Sequence, residues 1–500
     1  MLYTLVCNMV NNNNEGWSRR DYLRKTGATA PVIAGLAGCT GEDGSSDSDG
    51  GGGSGGGSGG DSGTSAGTPS GGGSADTLIW MTGSSAPRWR DFWTRTITEF
   101  TEETGIPVQM EYTGHGVSSY ERMTTLIQAG SPPSIMHGNH LGANGILYSE
   151  GFLNPIDDVV GEMESKYGAA PEALKMKPFG TNHMVATETL LYCEWYRDDM
   201  YDFEDFSQEE LLNQAPQVDS EEMRATQVAA APTGVSGANL LTGGCVSGAD
   251  VITFDSNNEA TFVMDQDSNR DIFVDQLQFM KDLHQYSDNG ADCSWGCASG
   301  GYASGSFAHV WYAGARAGLG ATEENPQHAQ NSSPRPITAL NGDHRTPVLP
   351  QQYGHGVFNA DVIGEDQVEN AKELLRFVFL DRERYLEYLS LTALHKWPPF
   401  GDVAQSSDYK DLPVYQDNPE TMGKWLDIWN NQFMPNIKMG GEVGRAFPYY
   451  GPTRQTNIPA EIVHEVIIND ADPANEFDNR MPELKSEFQD IKNKIDSEVK

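Results

Sequence analysis

From Thr77 onward the apolar positions repeat with two periods in turn. "TLIWMTG" is a short unbroken apolar run closed by glycine, the pattern of a buried strand. In "WRDFWTRTITEFTEETG" the residues Trp89, Phe92, Trp93, Ile97 and Phe100 recur at helical spacing, and Gly105 supplies a stop. The pair then repeats: "IPVQMEYT" and "SYERMTTLIQAG", followed by "PPSIMHGN" and "LGANGILYSEG". Strand and helix in alternation predict a parallel sheet with helices on its faces. In such sheets ligands gather beyond the carboxyl ends of the strands. The loops "TGSSAP", "TGHGVSS" and "HGNH", small, polar and rich in donors, therefore mark the expected site.

The order of segments carries a family resemblance. Glu99-Phe100 through "EETGIPVQMEY", then "LIQAGSPPSI" and "YSEGFLNPIDDVV", resembles the extracellular solute-binding proteins of ABC importers, the maltose-binding-like family. Ser134 stands where that family's third strand carries aspartate, and Ile156 replaces its usual leucine. "LYCEWYRDDMYD" is similar to the family's strand that crosses between lobes. "FVDQLQFMKDLHQYS" looks like its amphipathic helix, and "GGYASGSFAHVWYAGARAG" resembles a further segment, with Trp311 displaced from the usual position. "GHGVFNADVIGEDQVENAKELLRFVFLDRERYLEYLS" with "HKWPPF" resembles the return into the first lobe, and "NDADPANEFDNRMPELKSEFQ" its closing helices.

The resemblance implies a two-lobed periplasmic-binding-protein-like α/β fold, each lobe a mostly parallel sheet flanked by helices, with the ligand cleft between. It implies a first lobe of residues 76–192 with 346–392, a second of 193–345 with 393–500, and a hinge near 187–196. It also implies capture of a small solute, a carbohydrate being the expected class, by lobe closure and delivery to ABC permease subunits with a separate ATPase. Segment 202–262 departs most from the pattern, and its "APTGVSGANLLTGGCVSGAD" reads as a glycine-rich loop inserted beside the cleft.

Composition changes the picture mainly outside this region. The chain has 500 residues, and 71 Asp plus Glu against 33 Lys plus Arg leave a formal net charge of -38. Such a field repels phosphate backbones and excludes nucleic acid as a partner. The acids are scattered, as in proteins that work in concentrated salt. Ahead of the predicted core, Ser18-Arg19-Arg20-Asp21-Tyr22-Leu23 resembles a twin-arginine export signal, and Leu36-Ala37-Gly38-Cys39 a lipobox whose cysteine accepts lipid. Residues 1–38 are thus read as a lipoprotein signal. Residues 39–75, Gly/Ser-rich and without a core to bury, read as a flexible tether spanning roughly 35 Å. The expected location is the extracellular face of the cell membrane, held by a lipid anchor. With Cys7 and Cys39 set aside from the 6 cysteines, Cys193, Cys245, Cys293 and Cys297 remain. A Cys293–Cys297 disulfide within "CSWGC" is expected; a Cys-x-x-x-Cys metal site is the alternative, without a second cysteine or histidine pair to support it.

Cofactor and catalytic signals are absent from the sequence. It contains no G-x-x-x-x-G-K-[ST], no G-x-S-x-G and no H-E-x-x-H. "DQDSNRD" begins like an EF-hand, but Arg270 and Gln276 occupy the positions that need glycine and a bidentate acid, so it reads as a helix start. No cofactor or metal is expected, and no enzyme activity. The rival readings are a cell-surface polysaccharide hydrolase and a ligand-presenting sensor. A sugar is recognised by aromatic faces together with amides, hydroxyls and carboxylates. Those residue types on the expected loops are Ser84, Ser85, Trp89, His115, His137, Asn139 and His140. Thr189 and Tyr192 add to them from the crossing strand. Trp311, Tyr312 and Arg316 come from the second lobe, and Trp397 and Tyr449 from near the return. Trp89 and Trp311 also fit as core residues, and the Tyr449-Tyr450 pair as packing.

Overall fold

A computed structural model describes residues 77–498, apart from 114–116, 140–142, 172–173, 176, 204–206, 258, 289, 341–350, 437–448 and 450–455. The export signal with Arg19 and Arg20, the lipidation candidate Cys39, the tether, His115 and His140 lie outside the described residues.

The chain opens with β1 (Leu78–Thr82), α1 (Pro87–Thr104), β2 (Val108–Tyr112), α2 (Val117–Gln128), β3 (Ile135–Asn139), α3 (Ala143–Ser149) and α4 (Asp157–Tyr167). Strands β4 (Val185–Leu190) and β5 (Tyr192–Arg197) follow with Leu191 alone between them. Next come α5 (Gln208–Val218), α6 (Gly234–Val246), the β6–β7 hairpin (Ile252–Phe254, Ala260–Phe262) and α7 (Asp267–His284). Then follow α8 (Trp295–Ser304), β8 (His309–Ala313), α9 (Arg316–Glu324), β9 (Ser332–Pro336) and β10 (Gln351–Val357). The last long elements are α10 (Glu365–Phe379), α11 (Arg382–Ser390), α12 (Pro419–Ile428), α13 (Ile458–Ile467) and α14 (Pro473–Glu498).

Two sheets organise two lobes. Lobe 1 holds five strands in the order β2-β1-β3-β10-β4, and lobe 2 three in the order β8-β5-β9. β1 runs parallel to β2 and β3, whereas β10 runs antiparallel to β3 and β4, and β5 antiparallel to both of its neighbours. The lobe 1 sheet is therefore mixed, while both pairings of the lobe 2 sheet are antiparallel where a mostly parallel sheet was expected, and one topological reason covers both. In each, the strand that runs against the rest is one entering from the other lobe: β10 returns to lobe 1 and β5 passes into lobe 2.

Helix α1 shows how local pattern becomes packing. Pro87 starts it where no intrahelical donor is needed. Trp89, Phe92, Trp93, Thr96 and Phe100 form its buried stripe, and Gly105 at φ 76° ends it with its N–H on Thr101 O. The Trp80 and Trp93 rings lie 4.4 Å apart beneath the sheet.

The glycine-rich stretch expected to be a loop is helix α6, and nearly every residue of it is buried. Its small residues are the reason. A Cβ on Gly243 would meet Gln276 at 2.5 Å, one on Gly244 would meet Phe273 at 2.2 Å, and one on Gly237 the Ala460 backbone at 3.1 Å. Glycine here lets α7 and α13 approach α6 closely, so the residues that weaken an isolated helix build a helix layer.

The third passage between lobes comes later than residue 393. Trp397 pairs with Thr189 through two backbone bonds of 2.7 and 2.8 Å. Phe400 still packs on Tyr167 of α4, ring centres 6.0 Å apart, and Asp402 sits against Gly168. The chain has reached lobe 2 by Trp425, which donates to Ser332 O at 3.1 Å.

Candidate ligand-binding site

The carboxyl ends of β1, β3 and β4 meet the crossing segments at one seam. Leu191 is its centre: its carbonyl accepts from Gly314 N at 2.7 Å, tying the crossing to the end of β8. Three residues to either side stand Glu188 and Glu194, each fully buried. A buried carboxylate must be paired and hydrogen-bonded, and the two lobes meet that demand in the same way.

In lobe 1, Glu188 Oε2 lies 3.3 Å from His137 Nε2, and His137 Nδ1 lies 2.9 Å from Thr82 Oγ1. Lys396 Nζ is 3.3 Å from Glu188 Oε1. In lobe 2, Glu194 Oε2 lies 3.3 Å from His309 Nε2, whose Nδ1 is 2.9 Å from Thr226 Oγ1. Arg335 Nη2 is 2.7 Å from Glu194 Oε2, and Thr338 donates twice to Oε1 at 2.6 Å. Since a carboxylate only accepts, each imidazole donates from Nε2 and accepts the threonine hydroxyl at Nδ1. Burial pushes the Glu188 carboxyl upward, but the Lys396 ammonium and the His137 N–H more than offset it and hold it at about 2. Glu194 is likewise held at about 2, against its burial, by Arg335 and His309. Burial also lowers His137 and His309, so both stay neutral.

The lobe 1 set reaches the seam. The Lys396 ammonium sits 5.1 Å from the Trp89 ring centre and 4.7 Å from that of Tyr353. Tyr353 is half-buried, lies between Asn139 and Glu188 in register, and its hydroxyl accepts from Asn139 Nδ2 at 3.1 Å. Trp89 stands edge-on to Tyr388 at 5.2 Å. Aromatic faces, an amide, a phenol and an ion pair thus share one corner. A carboxyl held near 2 and tied to an ammonium is a poor proton donor at neutral pH, opposite to what a glycosidase acid needs.

The residues singled out from sequence divide. Asn139 is half-buried in this corner, whereas Trp89, 1% exposed, and the buried His137 back it from the core. Ser84 borders it, buried, with its N–H on Thr82 Oγ1, and Ser85 is half-buried with its carbonyl accepting from Arg90. Thr189 is buried and donates to Gln352 Oε1 at 2.7 Å. Tyr192 and Tyr312 are buried beneath Trp295, and Arg316 is the half-buried first residue of α9. Three aromatics are packed elsewhere. Trp311 stacks on Phe279 in the lobe 2 core and lines a cavity of about 20 Å³ with Gln227 and Asn239, because alternate β8 residues point to opposite faces. Trp397 is 0% exposed, between Tyr409 and Trp429. Tyr449 is buried among Phe254, Phe488 and Phe179. Cys293 and Cys297 form a disulfide, while Cys193 and Cys245 are not disulfide-bonded. Glu188, Lys396 and Tyr353 of this corner are not among the residues singled out from sequence. A charged residue inside an apolar run, as in "VATETLL" and "LHKWPPF", was the available signal, since a buried charge demands a partner. Among the described residues no group of three or more His, Cys, Asp or Glu side chains is placed to hold a metal ion.

No family model and no curated protein matches the chain. Solved structures do. The solute-binding protein of Thermotoga lettingae bound with alpha-D-tagatose superposes with a TM-score of 0.63 at 15% identity, covering 83% of this chain and 100% of its own. The fold is that of the two-lobed solute-binding proteins. Maltose-bound MalE3 of T. maritima follows at a TM-score of 0.61 and 16% identity, covering 82% of this chain and 99% of its own. A ribitol complex from Agrobacterium radiobacter gives 0.60 at 15% identity, with 82% and 98% covered. At these identities the likeness establishes the architecture alone.

Proposed function

We propose that this chain is the solute-binding component of an ABC importer, taking a sugar or polyol into the seam between its lobes. The observation that carries this reading is the half-buried pair of Tyr353 and Asn139 at the carboxyl ends of the strands, backed by the buried Trp89 ring and the buried Lys396–Glu188 ion pair. Those are the groups that recognise C–H faces and hydroxyl edges, and they lie where ligands gather in α/β sheets. Structures of the same fold are described as bound to maltose, tagatose and ribitol, which supports the ligand class. Lobe closure around the solute stabilises the closed state, and the loaded protein delivers it to permease subunits served by a separate ATPase. In this reading residues 1–38 export the chain through Arg19-Arg20. Cys39 carries the lipid, residues 39–75 are the leash, and the protein works on the extracellular face of a cell living in concentrated salt.

Calorimetric titration of the purified protein with maltose, maltotriose, tagatose and ribitol tests it, with a polyamine and a ferric salt as contrasts. One-to-one binding of a sugar or polyol is expected. Binding of none of these carbohydrates would remove the ligand class.

A further inference from the structure

Trp295 opens α8 and is half-buried, whereas the rings it packs on are buried. It stands edge-on to Tyr312 at 5.5 Å and tilted against Tyr192 at 6.3 Å. Both of those rings belong to the seam. Tyr192 is the first residue past Leu191, and Tyr312 lies 6.4 Å from His395, the neighbour of Lys396. The indole packs against both large apolar clusters of the molecule. Opposite it begins α6 with a glycine: a Cβ on Gly234 would lie 3.8 Å from the indole nitrogen, so residue 234 itself places no side chain over that edge. Thr233, the residue before, has its Oγ1 buried without a hydrogen-bond partner. The Cys293–Cys297 disulfide, spanning four residues, closes a small ring about Trp295.

A large indole gains from complete burial, so an indole left half open on a buried aromatic base, with its backbone restrained by a disulfide ring, is prepared for a surface that arrives later. Its open face suits the apolar C–H side of a pyranose or polyol, and its N–H suits a hydroxyl oxygen. We propose that Trp295 is lobe 2's stacking platform for the ligand, held ready by the Cys293–Cys297 ring and complementing the half-buried Tyr353–Asn139 corner of lobe 1. This rests on the carbohydrate reading above.

The test is calorimetry of the full chain with maltose, maltotriose, tagatose and ribitol, using Trp295→Ala, Trp295→Phe and the pair Cys293→Ser/Cys297→Ser. Thermal melts of the unliganded variants show whether each is folded. Trp295→Ala is expected to weaken binding at least tenfold, and Trp295→Phe, which keeps an apolar face and folds most safely, by a few-fold. The serine pair should weaken binding in the wild-type background but not further in the Trp295→Ala background, because a ring that acts through the indole has nothing to position once the indole is gone. Wild-type binding with both Trp295 variants unaffected overturns the platform and leaves the carbohydrate reading standing. A wild-type chain that takes none of the four overturns the carbohydrate reading first, and the platform with it.

Discussion

The two buried glutamates show how single residues report on the crossing. Glu188 and Glu194 are six positions apart, yet each recruits a histidine, a threonine and a cation from distant parts of its own lobe. Removing one partner strands the other. Lys396→Met leaves Glu188 as a buried anion with its cation gone, a change worth about 3–5 kcal/mol, read as a fall in melting temperature of the unliganded protein. The pH dependence has a definite sign. Glu188 sits at about 2 when folded against 4.5 as the ordinary value, so the folded state binds fewer protons. Its contribution, about 3 kcal/mol at one unit per 1.36 kcal/mol, is present above pH 4.5 and is lost as pH falls towards 2. His137, lowered by burial, acts in the same sense from 6.5 downward. Glu188→Gln is therefore expected to lower the melting temperature at pH 7 and to flatten its decline between pH 5 and pH 3. A variant whose melting curve tracks the wild type across that range would show that the buried pair does not govern acid stability. These partners escape sequence reasoning because 208 positions separate Lys396 from Glu188, and no local period joins them.

At the scale of elements, the alternation from β1 to α3 was legible because its periods are strong. Trp89, Phe92, Trp93 and Phe100 mark one face of α1, and the uninterrupted "LIW" marks a strand. The strand ends were legible too: His137 and Asn139 lie at the end of β3 and Trp89 in the first turn of α1, in or beside the corner. Helix α6 was not, since its pattern is set by what packs on it and not by its own polarity. Glycine in a helix has opposite consequences depending on its neighbours, and two positions make the contrast measurable. Gly161 in α4 has nothing within 4 Å of an added Cβ, so Gly161→Ala should raise stability by about 0.5–1 kcal/mol. Gly244 in α6 faces the Phe273 ring at 2.2 Å, so Gly244→Ala should lower stability by about 1–3 kcal/mol despite the same gain in helix propensity. Chemical denaturation of both variants checks the pair. Equal signs would mean that α6 does not pack on α7 in this way.

The whole molecule joins its lobes away from the crossings as well. Lys494, near the end of α14 in lobe 2, is paired with Glu150, just past α3 in lobe 1. Beside α3, with its ring 6.4 Å from that of Tyr148, Phe179 is 43% exposed and holds a left-handed φ of 59°, a conformation a bulky residue adopts only when its surroundings impose it. Its ring lies 6.4 Å from that of Tyr449, which packs on Phe254 and Phe488 of lobe 2. Under the proposed closure, an ion pair between the lobes contributes to whichever arrangement holds its two residues together, so it biases the balance between open and closed forms more than the fold of either lobe. Lys494 is 30% and Glu150 23% exposed at the side chain, which limits the pair to about 0.2–1 kcal/mol. Lys494→Glu replaces that attraction with repulsion. Under the proposed closure it should change solute binding by about two- to fivefold, weaker where the contact belongs to the closed form and tighter where it belongs to the open one, while leaving the melting temperature of the unliganded protein within a degree or two. Small-angle scattering should show a matching change in the unliganded dimensions, larger with weaker binding and smaller with tighter, and equal dimensions for variant and wild type at saturating solute. Adding Glu150→Lys restores opposite charges with the signs exchanged and should return both readouts to wild type. If Lys494→Glu binds solute as the wild type does and scatters identically, the contact holds no share of the proposed closure.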